Sequence, residues 1–266
     1  MQNKIVFWVM VCALLAASGL AHAQQAAPEA SSASDTSKAN NPLTAAIGVN
    51  FQDYYAPALY GAPDANTNTF LFRGMFPVQA GLVQLVRVTL PVITAPAGTG
   101  EDPQSGLGDL NLFDIFLLTG PDAAVQFGIG PQLTFPTHTH DALGFDALQL
   151  GAAVTLIYQP SPLLLLGGLI TWQTKISGDD KANQLMTQPF VILQVGGGFY
   201  LRSTAIPTFN FVTGDYAVPF GVGVGKVMRV DKVVLNMFIE PQYTFLHDGI
   251  GQPEFQLFTG INLQIF

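Results

Sequence analysis

The sequence predicts an all-β fold, a transmembrane antiparallel up-and-down β-barrel of about 12 strands. Three observations carry that expectation. Beyond residue 44, apolar residues alternate with polar or small ones at period 2. Only 11% of the residues are charged, where a soluble domain carries about 25%, and the mean hydropathy is positive. The chain also opens on an export leader. A two-faced sheet whose outer side meets lipid must close on itself, because an open edge would leave backbone groups unpaired where there is no water.

The leader comes first. Lys4 is the only charge in the first 28 residues, an apolar run extends from Ile5 to Leu20, and "AHA" at 21–23 supplies the small residues of a signal-peptidase site. Residues 1–23 therefore read as a signal peptide cleaved after Ala23. The single cysteine, Cys12, lies inside it. The mature chain then has no thiol, which excludes disulfides, cysteine metal ligands and a cysteine nucleophile. Loss of Lys4 leaves nine basic residues against eighteen acidic ones, a balance unsuited to nucleic acid, which needs basic surface. Residues 24–43, "QQAAPEASSASDTSKANNPL", are rich in Ala, Ser and Gln without apolar periodicity. They read as a flexible periplasmic tail. Residues 44–266 read as one outer-membrane barrel.

Within it, twelve strands are expected near 44–55, 68–77, 81–92, 106–118, 123–135, 146–159, 163–175, 186–200, 204–212, 217–228, 232–245 and 254–266. The uncharged run 147–174 is not a helix pair. "PSP" at 160–162 divides it, and "LQLGAAVTLIY" alternates at period 2. The apolar face of 148–158 is Leu148, Leu150, Ala152, Val154, Leu156 and Tyr158; the other face carries Gln149 and Thr155. The segment 106–118 fits less well. Asp109 and Asn111 face the lumen, but Asp114 then faces lipid, and a bulge or an earlier strand end would resolve the conflict. Long and short connections alternate, as in barrels with long outer loops and short periplasmic turns, which puts both termini in the periplasm. Acidic residues gather in the long loops (Asp64, Glu101, Asp102, Asp141, Asp179, Asp180, Asp248), while Arg202, Arg229 and Lys232 fall at expected periplasmic turns.

The inward charges are the main candidate site. Arg73, Arg87, Asp109, Glu240 and Glu254, with Asp53 and Lys175 nearby, form either a structural ion-pair network that plugs the lumen or a constriction that selects solutes. Strand number does not decide, since eight strands fill their interior and sixteen or more open a channel. "GVGVGK" at 221–226 lacks the glycine spacing and the Ser/Thr of a phosphate loop. Its glycines lie inward, as do others, either to relieve curvature or to leave lumen volume. "THTHD" at 137–141 and His247 have metal-ligand character. A twelve-stranded ring is roughly 24 Å across, however, and sets them on opposite sides of the mouth. Solvated rim histidines are expected, and no metal or cofactor. Ser105 is the sole candidate nucleophile for a barrel lipid hydrolase; a non-enzyme is expected. The chain ends "GINLQIF". Gly260 and Ile265 have the spacing of a terminal assembly signal, with Leu263 beside them on the lipid face. Phe266 lies one residue beyond, at the periplasmic rim.

The stretches "GLGDLNL" (106–112), "GFYLRSTAIPTFN" (198–210), "VPFGVGVGKV" (218–227) and "FIEPQYTFLHDGIGQPEFQLFTGINLQIF" (238–266) resemble a bacterial outer-membrane, porin-like family named after meta-pathway phenol degradation. The resemblance covers most of the barrel and implies passage of aromatic or other apolar compounds. It assigns no site residue. The functional expectation is a passive channel for small solutes, set against a plugged barrel with a structural or surface-binding role and, third, a barrel lipid hydrolase. Outer-membrane lipid and the barrel assembly machinery are the expected partners.

Overall fold

The computed structural model describes residues 29–30, 33–98, 102–121 and 123–265. The leader and Phe266 lie outside the described residues. Twelve strands close a single antiparallel barrel: β1 (Ile47–Leu59), β2 (Thr67–Ala80), β3 (Leu82–Ala95), β4 (Gln104–Leu107 and Leu110–Leu117), β5 (Val125–Phe135), β6 (Ala147–Ser161), β7 (Leu164–Gly178), β8 (Asn183–Gly196), β9 (Phe199–Ser203 and Thr208–Asn210), β10 (Tyr216–Gly221 and Gly223–Val230), β11 (Val233–Asp248) and β12 (Pro253–Ile265). Each strand pairs with its neighbour in sequence, and β12 returns to β1 through pairs from Ile265–Ile47 to Pro253–Leu59. Short turns at Gly81, Pro162–Leu163, Gly197–Gly198 and Asp231–Lys232 mark the same end as both barrel termini. We call this the terminal end and the opposite one the loop end.

The period-2 pattern places side chains as expected. Leu150, Leu156 and Tyr158 stand exposed on the outside of β6, while Gln149, Thr155 and Ile157 are buried inside. On β11, Ile239 and Tyr243 face out and Asn236, Glu240 and Gln242 face in. Ile261 and Ile265 are exposed on the outer face of β12, and Gln264 is buried. The exposed residues form the continuous apolar exterior that a lipid-facing barrel needs.

Three details differ from the sequence reading. First, β8 ends at Gly196, and the turn is Gly197–Gly198, with φ of 98°, 60° and 79° over the three glycines. Such backbone is cheap only for glycine. Arg202 is therefore not at a periplasmic turn; it lies in β9 and points into the lumen. Second, Asp114 does stay on the outer face. Phe113 pairs with Gln132 and Phe116 with Ile129 in one register, so no bulge intervenes. Asp114 lies opposite the Pro131 position, which offers no N–H, and one of its carboxyl oxygens has no hydrogen-bond partner among the described residues. Asp114→Leu should raise the urea midpoint of the refolded barrel, a gain of about 1 kcal/mol from removing a polar group from the lipid face; an unchanged or lower midpoint would mean the carboxyl is engaged. Third, the segment expected as a flexible tail is helical from Ala33 to Asn40, here α1, and α1 packs into the lumen.

The inward glycines serve close packing. A Cβ on Gly225 would lie 2.2 Å from the Tyr200 ring, so that glycine is the seat of a fully buried aromatic side chain. Gly225→Ala should destabilise the barrel by about 1–3 kcal/mol, the usual cost of overpacking, read as a lower urea midpoint. A midpoint equal to wild type would mean that Tyr200 swings away without loss.

Candidate functional site

The lumen is built in layers. At the terminal end, α1 crosses it. Its Ala39 carbonyl accepts from Asn236 (3.4 Å) and Gln264 (3.2 Å), and Asn40 accepts from Asn236 at 3.0 Å. On the other side, Asn41 donates to Gln126 at 2.9 Å, and Gln159 donates to the Ser37 hydroxyl. Ala39 and Leu43 add an apolar contact to a cluster that includes Leu85, Phe113 and Ile115. The side-chain contacts of the plug are thus with neutral amides, each worth about 1 kcal/mol, and just upstream Glu29 and Ala30 pair with Arg229 and Met228 of β10.

Above α1 lies a cavity of about 180 Å³ lined by residues of α1, β1–β4, β6–β9, β11 and β12, among them Arg73 and Arg87. These two arginines do not meet the carboxylates expected for them. Arg73 donates through Nη1 to Gln52, and Arg87 lies over the Phe113 ring at 3.7 Å.

The carboxylate Glu240 belongs instead to Arg202, Nε to Oε2 at 2.8 Å. The same carboxylate accepts from the Thr204 hydroxyl (2.7 Å), the Thr204 backbone N–H (2.8 Å) and Gln242 (3.0 Å). Glu240 is 0% exposed. The local backbone is shaped for it. β9 breaks after Ser203, where Thr204 gives its N–H to the carboxylate, and β10 breaks at Val222. A Cβ on Gly223 would meet the Glu240 Cβ at 2.7 Å, and one on Gly221 would meet Oε1 at 3.0 Å. The run "GVGVGK" is therefore the seat of an ion pair. The Arg202 guanidinium also stacks on Phe238 at 3.6 Å. Phe238 meets Phe258 edge-on at 4.8 Å, and Phe258 stacks on Tyr54 at 4.0 Å.

Toward the loop end the lumen is lined by amides. Gln132 and Thr134 both donate to Gln173, which donates to Gln149; Gln256 donates to Gln242. At the mouth, Asp109 holds the 136–146 loop, accepting from Phe145 N (2.8 Å) and Thr137 N (3.1 Å) and pairing with His138 Nδ1 at 2.7 Å. His140 accepts from Ala142 N, and His247 stacks on Tyr60 at 3.5 Å. Ser105 bonds to the Thr94 hydroxyl at 2.8 Å. Each of these histidines and Ser105 thus has a partner that serves the loops. Glu254 is the second residue of β12, at the loop end, and Lys175 donates to the Asp179 carbonyl nearby. Asp53 accepts from Asn68 at 2.9 Å.

Of the five charges expected to cluster, then, Arg73 and Arg87 share the cavity, and Glu240 sits in a separate node beside it with Arg202, which the sequence reading had placed elsewhere. Asp109 and Glu254 are mouth residues. Gly260 faces inward, where a Cβ would meet the Phe238 ring at 2.3 Å, and Leu263 and Ile265 face outward. Phe266 lies outside the described residues.

No protein-family model matches the chain, and no curated protein matches it. Solved structures do. An outer membrane channel from Pseudomonas putida F1 is similar with a TM-score of 0.66 at 17% identity, over 92% of this chain and 100% of that one. The NanC porin is similar with a TM-score of 0.53 at 11% identity, over 83% of this chain and 99% of that one. At these identities the likeness is one of fold, and that fold is a porin-like barrel.

Proposed function

We propose that the protein is an outer-membrane channel for small solutes, exported by a cleaved signal and closed at its periplasmic end by α1. The observation that carries this reading is a closed twelve-stranded barrel, apolar outside and polar inside, whose lumen is stoppered by a short segment held through neutral amides. A structural plug would be expected to carry a large apolar contact or charge pairs; the described side chains of α1, from Thr36 to Asn40, supply neither. The resemblance to the phenol-degradation family supports solutes that are aromatic or otherwise apolar. The lipid belt, the assembly machinery that reads Gly260, Leu263, Ile265 and Phe266, and the location in the outer membrane belong to the same reading.

The test is conductance of the refolded mature protein in a planar bilayer, with solute flux into liposomes beside it. Discrete openings or flux of small solutes are expected. Neither current nor flux under any voltage or solute would remove the channel and leave the plugged barrel with a structural role.

A further inference from the structure

The cavity above α1 contains an imbalance of charge that the protein does not resolve. Arg73 and Arg87 are inward residues on adjacent strands: Arg73 lies opposite Thr89, and Arg87 opposite Met75. They are therefore diagonal neighbours on one face, close enough for long side chains to meet. Guanidinium groups do not shed their protons. Both side chains are half-buried, and holding two partly desolvated guanidinium groups side by side is unfavourable unless an anion joins them.

Of the inward carboxylates whose side chains are described, Glu240, Asp53 and Asp109 are already committed. All the Glu240 contacts go to Arg202, Thr204 and Gln242. Asp53 is bonded to Asn68, and Asp109 holds the mouth loop. The partial negative end of α1 is taken as well. The Ala39 carbonyl serves Asn236 and Gln264, and the Lys38 carbonyl serves Thr44 and Asn41. Among the described residues, both Arg73 Nε and Arg87 Nε are buried with no acceptor. Nε and Nη of one guanidinium form the fork that grips a carboxylate.

The rest of the lining says what the anion carries with it. Leu85, Ile115, Phe190, Ile192 and Phe238 form apolar walls around the same space. A bare inorganic ion would leave those walls against water. The volume of about 180 Å³ exceeds the roughly 150 Å³ that holds a benzene ring in an engineered protein cavity. Charge and shape together point to a carboxylate attached to an apolar body of about one six-membered ring.

We propose that Arg73 and Arg87 form a binding site for a small organic carboxylate with a single-ring apolar body, seated between α1 and the Arg202–Glu240 node. The proposal rests on the lumen being the solute route, and it names the solute class. The arginine pair supplies the attraction, and the apolar walls supply the discrimination against acetate or phosphate. Entry from the loop end delivers the carboxylate to a pair of cations that already face the space, and α1 lies beyond them on the way out.

The test is isothermal titration calorimetry on the full mature protein folded in detergent micelles, its fold checked by the heat-dependent gel shift. The probes are sodium benzoate, sodium cyclohexanecarboxylate, benzamide and sodium acetate at one ionic strength. Both ring acids should bind, and benzamide and acetate about tenfold more weakly or worse, since a charge-assisted bond and the burial of a ring are each worth more than one decade. Arg87→Gln and Arg73→Gln should each weaken benzoate about tenfold, with Arg87→Lys between them and wild type. Absence of benzoate binding to the folded wild-type chain overturns the site. So does equal binding of benzoate and benzamide, a comparison that needs no variant, or unchanged benzoate binding in both glutamine variants. Binding without conductance would keep the site and remove the channel; conductance without binding would do the reverse.

Discussion

Removing residues 24–40 from the mature chain is expected to raise the time-averaged conductance by about one to two orders of magnitude, with the barrel still folded. The size follows from what holds α1. About five neutral amide and hydroxyl contacts at about 1 kcal/mol each, with the small apolar contact of Ala39 and Leu43, must offset the cost of ordering the segment. A net preference of about 1.4–2.8 kcal/mol for the closed state is a factor of 10 to 100 in its population. An eight-residue helix is not stable alone in water, so its departure from the lumen and its unfolding are one event. A less invasive arm uses the absence of any cysteine after Cys12. With Asn41→Cys and Gln126→Cys joined by a short thiol-reactive linker, current should fall to near zero; before the linker is added, the same variant should conduct more than wild type. If the truncated barrel folds and conducts no better than the full chain, α1 is not the gate.

The barrel itself was readable because its cause is a repetition. Every strand repeats the same choice between lipid and lumen, so an error of one turn at 78–80 or 160–162 leaves the parity of the next strand intact. The error at 196–203 shows where that redundancy fails. "GGGFYLRST" offers two turn signals, the three glycines and Ser203, and moving the turn toward Arg202 gained a basic residue at the periplasmic rim. The better signal was the polar parity of Tyr200, Arg202 and Thr204, which continues only if the strand starts after Gly198. α1 was not readable for a different reason. "ASDTSKAN" has the composition of a solvated tail, and its partners, Gln126, Gln159, Asn236 and Gln264, lie at least 85 residues away. Its burial is decided by the lumen it enters rather than by its own pattern. The pairing of Glu240 was hidden likewise, since any inward arginine satisfies a parity argument. Only the glycine seat at 221 and 223 and the gap in β9 select Arg202.

The Arg202–Glu240 node should be the most expensive single site in the barrel to disturb. Glu240→Ala removes one carboxylate and leaves four donors stranded: the Arg202 guanidinium, the Gln242 amide, the Thr204 hydroxyl and the Thr204 backbone N–H, the last already withdrawn from the β9 ladder. Breaking a buried pair from one side typically costs about 3–5 kcal/mol. The variant should therefore unfold at a much lower urea midpoint, or fail the heat-dependent gel shift. Glu240→Gln keeps the shape and one acceptor oxygen, so it should fall between. The Arg202→Met, Glu240→Leu double variant separates charge from fold. If the penalty comes from an orphaned cation, replacing both partners should recover most of the loss, though Thr204 would keep an unpaired N–H. A Glu240→Ala barrel as stable as wild type would mean that water or a neighbouring amide takes over the carboxylate's contacts, and that the breaks in β9 and β10 have another cause. A double variant no better than Glu240→Ala would place the cost in the geometry of those two strands. In that case Glu240 is held for its length and its four acceptor contacts rather than for its charge.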